Sequence, residues 1–188
     1  MTENNTGTLW TIGHSTRTWD EFAGMLLAPR IEVLVDVRRF AGSRRNPQFS
    51  GQTMGAALAQ SDIGYLPMPE LGGRRPTRAD SPNLAWRNAS FRGYADYMQT
   101  PGYRAAREQL AQSAREKRVA VMCAEAMWWQ CHRSLIADDF KAAGWEVVHL
   151  LSPGREQEHP YTSAARIIEG RLDYTAKADG GQQPSLFP

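Results

Sequence analysis

The chain has 188 residues, of which 41% are hydrophobic, so one domain with a substantial core can form. No apolar stretch approaches the roughly 18 residues of a membrane-spanning helix, so we expect no contact with a membrane. The formal net charge is only +2, which does not indicate a nucleic-acid binder. Lysine occurs only at positions 117, 141 and 177, so nearly all positive charge is arginine, whose planar guanidinium binds phosphate through two hydrogen bonds.

The first ten residues, MTENNTGTLW, have neither the basic flank nor the apolar run of a signal peptide. We therefore expect a cytoplasmic protein. In that compartment Cys123 and Cys131, the two cysteines of the chain, are expected to be reduced thiols.

Apolar runs and helical patterns alternate along the chain. The runs predict five strands, at residues 9–13, 31–37, 63–68, 118–123 and 146–151. The patterns predict helices at residues 19–28, 53–60, 93–98, 102–117 and 131–143, and a short helix at 164–172. This alternation predicts an α/β fold in three layers, a mainly parallel five-stranded sheet with helices on both faces. We expect one domain at residues 1–175 and a flexible C-terminal tail at 176–188.

Three of the predicted strands end in polar or reactive side chains. These are His14 and Ser15 after the first strand, Asp36 and Arg38 after the second, Cys123 and Glu125 after the fourth, and Cys131, His132 and Arg133 at the start of the next helix. Because the carboxyl ends of parallel strands share one edge of a sheet, we expect these side chains to form one polar site of an enzyme.

The segment MCAEAMWWQCHR, residues 122–133, is the most informative part of the sequence. A strand that passes through a loop into a helix directs backbone N–H groups and the helix dipole at the loop, which favours an anion or a thiolate. On this interpretation Cys123 is the nucleophile, and His132 or His14 is the base. Glu125 then orients the base or titrates itself.

The arginines of these turns are expected to hold an anionic substrate, with Arg38, Arg44 and Arg133 as the candidates. Asp36 completes the catalytic set. Each residue also has a structural interpretation. Asp36 can simply pair with Arg38, and Cys123 at the end of an apolar strand can be a small buried hydrophobe.

A zinc or iron site is an alternative, because the same turns contain metal-binding residue types. The candidate ligands are His14, Cys123, Glu125, Cys131 and His132. Their spacing matches none of the standard zinc patterns. Adjacent residues on a helix also point about 100° apart, which separates Cys131 from His132. We therefore predict no metal and no cofactor.

Five motifs stand in the order TIGHS, LVDVRRFAGSRRNPQF, IGYLPMPELGGRR, FRGYADYM and MCAEAMWWQCHR. Together they resemble the bacterial domain-of-unknown-function 488 family over residues 9–151. The reaction of that family is not established, so the resemblance implies a site and no activity. The residues that it implies are His14, Ser15, Asp36, Arg38, Ser43, Arg44, Tyr65, Gly72, Gly73, Cys123, Glu125, Cys131, His132 and Arg133. Of these, we expect Ser15, Ser43 and Tyr65 to bind substrate together with the arginines.

The motif LVDVR, followed by a cysteine at a strand end, is also similar to the pattern of rhodaneses and cysteine phosphatases. In those families a short loop between the cysteine and an arginine cradles an anion. The segment from Cys123 to Arg133 is longer and poor in glycine, so this likeness serves as an analogy only.

The sequence QPSLF at residues 183–187 resembles the peptide with which bacterial replication and repair proteins bind the DNA sliding clamp. In such a peptide Gln183 supplies a directional hydrogen bond, while Leu186 and Phe187 enter an apolar pocket. Pro184 departs from the usual leucine. The alternative is that Phe187 folds back onto the domain.

The sequence therefore predicts an enzyme that acts on a nucleotide, DNA or another anionic substrate, in DNA repair or modification and recruited by the sliding clamp. Two alternatives stay open. One is a non-catalytic nucleic-acid-binding module that uses the same arginines, and the other is a cysteine-dependent enzyme for a small metabolite.

Overall fold

One sheet of six strands organises the computed structural model, which describes residues 6–175. The strands are β1 (Thr8–Gly13), β2 (Val33–Asp36), β3 (Gly64–Pro67), β4 (Val119–Cys123), β5 (Glu146–Ser152) and β6 (Arg155–Glu158). Their order across the sheet is β3-β2-β4-β1-β5-β6. Neighbours among the first five strands pair in parallel, and β6 pairs antiparallel with β5. The carboxyl ends of β2, β4 and β1 therefore lie side by side.

Five α-helices connect these strands. They are α1 (Trp19–Leu27), α2 (Gly51–Ala59), α3 (Ala89–Met98), α4 (Pro101–Glu116) and α5 (Arg133–Ala142). Three of them begin at a side chain that accepts a hydrogen bond from the first turn, namely Thr18, Asn88 and Thr100. The cap at Asn88 explains why α3 begins four residues before the predicted start at residue 93.

Alternate residues of the central strand β4 belong to two different hydrophobic clusters. Val119, Val121 and Cys123 pack in the cluster that contains side chains of α3, α4 and α5. Ala120 and Met122 pack in the cluster that contains side chains of α1 and α2. The strand is therefore buried along its whole length, which explains the continuous apolar run in its sequence. The three-layer arrangement stays a prediction.

The predicted α/β fold with a mainly parallel sheet is confirmed, with two corrections. The sheet has six strands, whereas the sequence predicted five. The edge strand β6 was missed because its residues are polar and show no hydrophobic alternation. The helix predicted at 164–172 is wrong, because these residues form the hairpin of β7 (Arg166–Ile168) and β8 (Arg171–Asp173). Glu169 and Gly170 between these strands have φ angles of 50° and 75°, as a tight hairpin turn requires and a helix forbids.

No helix within residues 6–175 is long and apolar enough to cross a membrane. The predicted tail at 176–188, with Gln183, Leu186 and Phe187 of the clamp peptide, lies outside the described residues. Recruitment by a sliding clamp therefore stays a prediction.

Candidate functional site

Backbone hydrogen bonds join the turns that follow β1, β2 and β4. The amide of His14 donates to the carbonyl of Cys123 at 3.1 Å, and the amide of Val37 donates to the carbonyl of Met122 at 3.0 Å. A Cβ atom at Gly13 would lie 1.8 Å from the carbonyl oxygen of Glu125, so only glycine permits this approach. The three turns thus meet at one edge of the sheet.

Asp36 is the centre of the first polar group, which we call the Asp36 network (His14, Asp36, Arg38 and Tyr65). Arg38 donates to its carboxylate from Nε at 2.9 Å and from Nη2 at 2.7 Å. The backbone amide of Arg38 donates to the same carboxylate at 3.0 Å, and the hydroxyl of Tyr65 does so at 2.7 Å. The carboxylate therefore holds the Arg38 guanidinium at the edge of the sheet.

His14 uses both ring nitrogens in this network. Its Nε2 lies 3.2 Å from Nη1 of Arg38, and its Nδ1 lies 2.9 Å from the carbonyl oxygen of Ser15. Because a guanidinium only donates and a carbonyl only accepts, Nδ1 carries the proton and Nε2 is the acceptor. Burial lowers the pKa of His14, which agrees with this neutral form. The ring also stacks on Phe49 with the centroids 4.6 Å apart. Both ring nitrogens of His14 therefore have partners inside the protein, and its role as a base stays a prediction.

The second polar group is the thiol cluster, formed by Cys123, Cys131 and Arg133. The two sulfur atoms are 2.8 Å apart. Sγ of Cys131 also accepts hydrogen bonds from the backbone amide of Arg133 at 3.3 Å and from its Nε at 3.4 Å. The same guanidinium donates from Nη2 to the carbonyl of Glu125 at 2.7 Å. All three side chains are buried, so this contact is made without water.

The two thiols differ in acidity. Burial raises the pKa of Cys123, and its hydrogen bond to Cys131 raises it further. Burial also works against ionisation of Cys131, but the Cys123 thiol and the positive charge of Arg133 outweigh it and hold the pKa of Cys131 well below its ordinary value. These contacts favour the thiolate on Cys131, whereas the sequence pattern had pointed to Cys123. The position of Cys131 just before α5 was the available signal.

The other two predicted catalytic residues differ in placement. Burial lowers the pKa of His132, whose Nε2 is buried and has no hydrogen-bond partner within the described part of the chain. A Cβ atom at Gly73 would lie 2.8 Å from its Nδ1, so this ring needs glycine beside it. The side chain of Glu125 is exposed, and only its backbone carbonyl belongs to the thiol cluster. The structure therefore places the His132 ring beside Gly73 and Tyr94, with the ring centroids of His132 and Tyr94 5.0 Å apart, and leaves the Glu125 carboxylate outside the thiol cluster.

The predicted substrate-binding residues outside these two groups lie nearer the surface. Ser15 is partly buried in the left-handed conformation, with a φ of 45°. The hydroxyl of Ser43 accepts a hydrogen bond from the amide of Asn46 at 3.2 Å. Arg44 and Arg45 are exposed, and within residues 6–175 no ion pair joins either of them to a carboxylate. These exposed arginines are free to meet an anion.

We call residues 39–45 the arginine loop. Phe40 is 69% exposed, and the guanidinium of Arg39 lies 5.8 Å from its ring centroid. Nη1 of Arg39 donates to the carbonyl of Arg74 at 3.0 Å. Because Arg74 follows Gly73, which lies against the ring of His132, this bond places the loop close to His132.

A third polar group, which the sequence analysis missed, lies beneath Arg133. We call Thr11, Asp138, His149 and His159 the Asp138 network. Its members form a row of hydrogen bonds, from Asp138 Oδ1 to His159 Nε2 at 3.0 Å, from His159 Nδ1 to His149 Nε2 at 2.8 Å, and from His149 Nδ1 to Thr11 Oγ1 at 2.6 Å. Nη1 of Arg133 then contacts Thr11 Oγ1 at 3.4 Å. All four residues are at most 1% exposed.

No group of three or more histidine, cysteine, aspartate or glutamate side chains within residues 6–175 is arranged to hold a metal ion. The zinc or iron alternative therefore finds no set of ligands in that part of the chain.

The family described as domain of unknown function DUF488 matches residues 18–140. This range includes the Asp36–Arg38 pair and the whole thiol cluster, while Thr11 and His14 precede it and His149 and His159 follow it. The comparisons with curated proteins and with solved structures give no significant match. Since the match covers well over half of the chain, as the sequence motifs had indicated, the protein belongs to the DUF488 family.

Proposed function

We propose that this protein is an enzyme that uses the Cys131 thiolate on an anionic substrate, and that this substrate carries phosphate, as a nucleotide or DNA does. The observation that carries the proposal is the set of contacts at one sulfur atom. Sγ of Cys131 meets the Cys123 thiol and two N–H groups of Arg133. Sulfur is a weak acceptor as a thiol, so a set of donors at this atom favours its anionic form.

Accessibility also supports Cys131 over Cys123 as the nucleophile. Cys131 keeps 7% of its surface exposed, against 3% for Cys123. The attacking sulfur forms a bond to an electrophilic centre of the substrate, and the leaving group departs with its electron pair. His132 follows Cys131 directly and has an unpaired ring nitrogen, so we assign it the proton transfer to or from that leaving group.

The arginine loop supports the choice of a phosphate-bearing substrate. Arg38 and Arg133 make hydrogen bonds within the protein, so we assign them to holding the site in shape. Capture of the anion then falls to the exposed Arg44 and Arg45, with the exposed Phe40 as a surface on which a base can stack. Ser15 in the turn after β1 and Ser43 in the arginine loop complete the proposed binding surface.

The reaction of the thiols with iodoacetamide tests the nucleophile. We expect fast alkylation at Cys131 at neutral pH, where an ordinary thiol with a pKa of about 8.5 is only a few per cent ionised. Cys131→Ser removes this fast phase, and the matched Cys123→Ser variant keeps a reactive thiol. Peptide mapping that finds the label first at Cys123, or an ordinary pKa at both thiols, would contradict the assignment.

Filter binding of a single-stranded DNA oligonucleotide over a salt series tests the substrate class. Each phosphate contact adds about 0.7 to the slope of log affinity against log salt, so Arg44→Gln lowers this slope by about that amount. Arg115→Gln is the control, because Arg115 lies on α4 ahead of the amino end of β4 and pairs with Glu108. Binding without a reactive Cys131 would favour the non-catalytic module. A reactive Cys131 without oligonucleotide binding would favour an enzyme for a small metabolite.

Recruitment by the DNA sliding clamp is the remaining part of the proposal, and it is supported only by the sequence QPSLF. We expect the full chain to bind a bacterial sliding clamp and the Leu186→Ala, Phe187→Ala double variant not to bind it, since these side chains are the apolar anchors. Equal binding by both chains, measured by surface plasmon resonance, would exclude this recruitment.

A further inference from the structure

We infer that the Asp138 network is a one-directional row of hydrogen bonds that positions the Arg133 guanidinium on the sulfur of Cys131. Thr11, His149, His159 and Asp138 are then positioning residues of the candidate active site. The inference rests on the proposed function for the importance of Cys131, but the direction of the row can be tested without any reaction.

The row has a fixed end at Asp138. Its carboxylate receives the amide of Thr162 at 2.9 Å, the hydroxyl of Thr162 at 2.6 Å and the hydroxyl of Tyr174 at 2.8 Å. The fourth partner is Nε2 of His159 at 3.0 Å. Because an ionised carboxylate accepts and cannot donate, Nε2 of His159 carries a proton.

The other end is fixed by Arg133, because a guanidinium donates and cannot accept. Thr11 Oγ1 therefore accepts from Nη1 of Arg133, and its own O–H stays available for a second bond. Because a neutral His159 with its proton on Nε2 must accept at Nδ1, a neutral His149 gives its proton from Nε2 and accepts the Thr11 hydroxyl at Nδ1. With one proton on each imidazole, every hydrogen bond from Arg133 to Asp138 has one donor and one acceptor.

The surroundings keep His149 neutral and exclude water from the row. Burial lowers the pKa of His149 to about 2, and the positive charge of Arg133 acts in the same direction. The indole of Trp128 stacks on His149 with the ring centroids 4.6 Å apart and the planes inclined by 6°. Trp128 also meets the ring of His159 edge-on at 4.9 Å. These rings pack directly on the row and shield it from solvent.

The row positions Arg133 and does not conduct protons to the thiols. A proton would have to leave the guanidinium, which stays protonated in proteins. What the row fixes is the rotation of that group, because Nη1 is held by Thr11 while Nε faces Cys131 and Nη2 faces the carbonyl of Glu125. Loss of the Thr11 contact lets the guanidinium turn away from the sulfur, which then loses part of the charge that stabilises its thiolate.

The first test determines the ring protons in the unsubstituted full chain. Two-bond ¹H–¹⁵N correlation spectra of the ¹⁵N-labelled protein at neutral pH report which nitrogen of each histidine is protonated. We expect a proton on Nε2 and a bare Nδ1 in both His149 and His159. A proton on Nδ1 of His149, or a doubly protonated ring at either position, would overturn the inference.

The second test compares Thr11→Val, which removes the hydroxyl at nearly constant volume, with Thr11→Ser, which retains it. In Thr11→Val we expect a rise of roughly half to one unit in the Cys131 thiol pKa, seen as a shift of the same size toward higher pH in the midpoint of the alkylation rate against pH. Thr11→Ser should react like the unsubstituted chain. A folded Thr11→Val variant with unchanged Cys131 reactivity would overturn the positioning role.

The two tests separate this inference from the proposed function. If Thr11→Val does not fold, the ring protons of the unsubstituted chain still decide the direction of the row. If Cys131 of the unsubstituted chain is unreactive, the proposed nucleophile is wrong, and the spectra then decide the inference alone.

Discussion

The Asp36 and Asp138 networks each connect a buried aspartate to an arginine, but over different distances. In each, a buried aspartate accepts several hydrogen bonds and controls the orientation of an arginine. Asp36 holds Arg38 directly, through two N–H groups of the same side chain. Asp138 reaches Arg133 only through His159, His149 and Thr11. A direct ion pair needs one contact, and the relayed one needs four in sequence.

The difference shows how much each arginine depends on the interior of the protein. Arg38 is 8% exposed at the edge of the sheet, so solvent can reach it if its partner is lost. Arg133 is 1% exposed and every member of its row is enclosed, so solvent cannot substitute there. We therefore expect equivalent changes to cost more in the Asp138 network than in the Asp36 network.

The largest expected effect is that of Asp138→Ala. The change leaves the buried donors of Tyr174 and His159 without an acceptor, at about 1–3 kcal/mol for each, and it also removes the acceptor of the partly buried Thr162. We expect the free energy of unfolding to fall by roughly 3–5 kcal/mol, measured by urea denaturation. Asp139→Ala is the control on the same helix, since Asp139 is partly exposed and loses only the donors of Arg107 and Tyr103. Equal losses in the two variants would contradict an enclosed row.

Asp36→Ala should have the next largest effect. The Arg38 guanidinium loses its carboxylate but can turn toward solvent, so we expect the free energy of unfolding to fall by about 2 kcal/mol. Asp80→Ala is the control, because Asp80 forms only an exposed pair with Arg78, which contributes about 0–1 kcal/mol. If Asp36→Ala costs more than Asp138→Ala in the same urea experiment, the comparison of the two networks is wrong.

Sequence reasoning placed His14, Asp36 and Arg38 in one polar site because they follow strand ends, while Tyr65 was implied only by the family resemblance. Asp36 and Arg38 are two residues apart, and His14 follows an apolar run that any periodicity analysis identifies as a strand. The Asp138 network gave no such signal. His149 lies inside the strand EVVHLL, and Asp138 lies in a pair of acidic residues on a helix, which is typical of a solvated face. Only the packing of α5 against β5 brings them within reach of Thr11, 138 residues before His149.

Sequence patterns also failed where an element has few buried side chains, which explains the missed strand β6 and the wrong helix at residues 164–172. The strands β1, β2 and β4 were predictable because burial on both faces demands continuous apolar runs. The edge strand β3 has no buried residue, and the buried Ile63 and Met68 that flank it extend its apolar run. The edge strand β6 and the hairpin of β7 and β8 are stabilised by backbone pairing and have mostly exposed side chains. The choice between Cys123 and Cys131 needed the position of Arg133, since burial disfavours both thiolates and only the neighbouring donors distinguish them.

The pH dependence of stability compares the histidines of the two networks. Burial lowers the pKa of His149 from 6.5 to about 2, and it also lowers the pKa of His14. Below pH 6.5 these two histidines are therefore protonated in the unfolded chain while they stay neutral in the folded chain. Stability is full above that pH and falls as the pH decreases, by up to about 1.4 kcal/mol per pH unit for each such histidine.

Two variants show how much of this pH dependence comes from His149 and how much from His14. We expect His149→Gln to flatten the dependence of unfolding free energy on pH between pH 6 and 4 by close to one proton, and His14→Gln to flatten it less, since His14 lies at the solvent edge. Urea denaturation at several pH values measures both slopes. An unchanged slope in His149→Gln would mean that this ring is already protonated in the folded protein.

The smallest expected effects come from removing one matched hydroxyl in each network. Tyr174 donates to Oδ2 of Asp138 at 2.8 Å, and Tyr65 donates to Oδ2 of Asp36 at 2.7 Å. Tyr174→Phe should lower the free energy of unfolding by about 1–2 kcal/mol, because the buried carboxylate loses a donor that nothing replaces. Tyr65 is only partly buried, so in Tyr65→Phe water can restore the bond and the loss should stay below about 1 kcal/mol.

Both changes remove one hydroxyl oxygen from a tyrosine. The difference between the two losses in unfolding free energy therefore measures the effect of burial at the two sites. The double variant of each tyrosine with its aspartate, measured as a mutant cycle, gives the coupling energy of each hydrogen bond. A larger coupling at Tyr65 than at Tyr174 would show that the edge network is the more rigid of the two. The orientation of Arg133 would then depend less on its buried row than on its direct contacts with Cys131 and the carbonyl of Glu125.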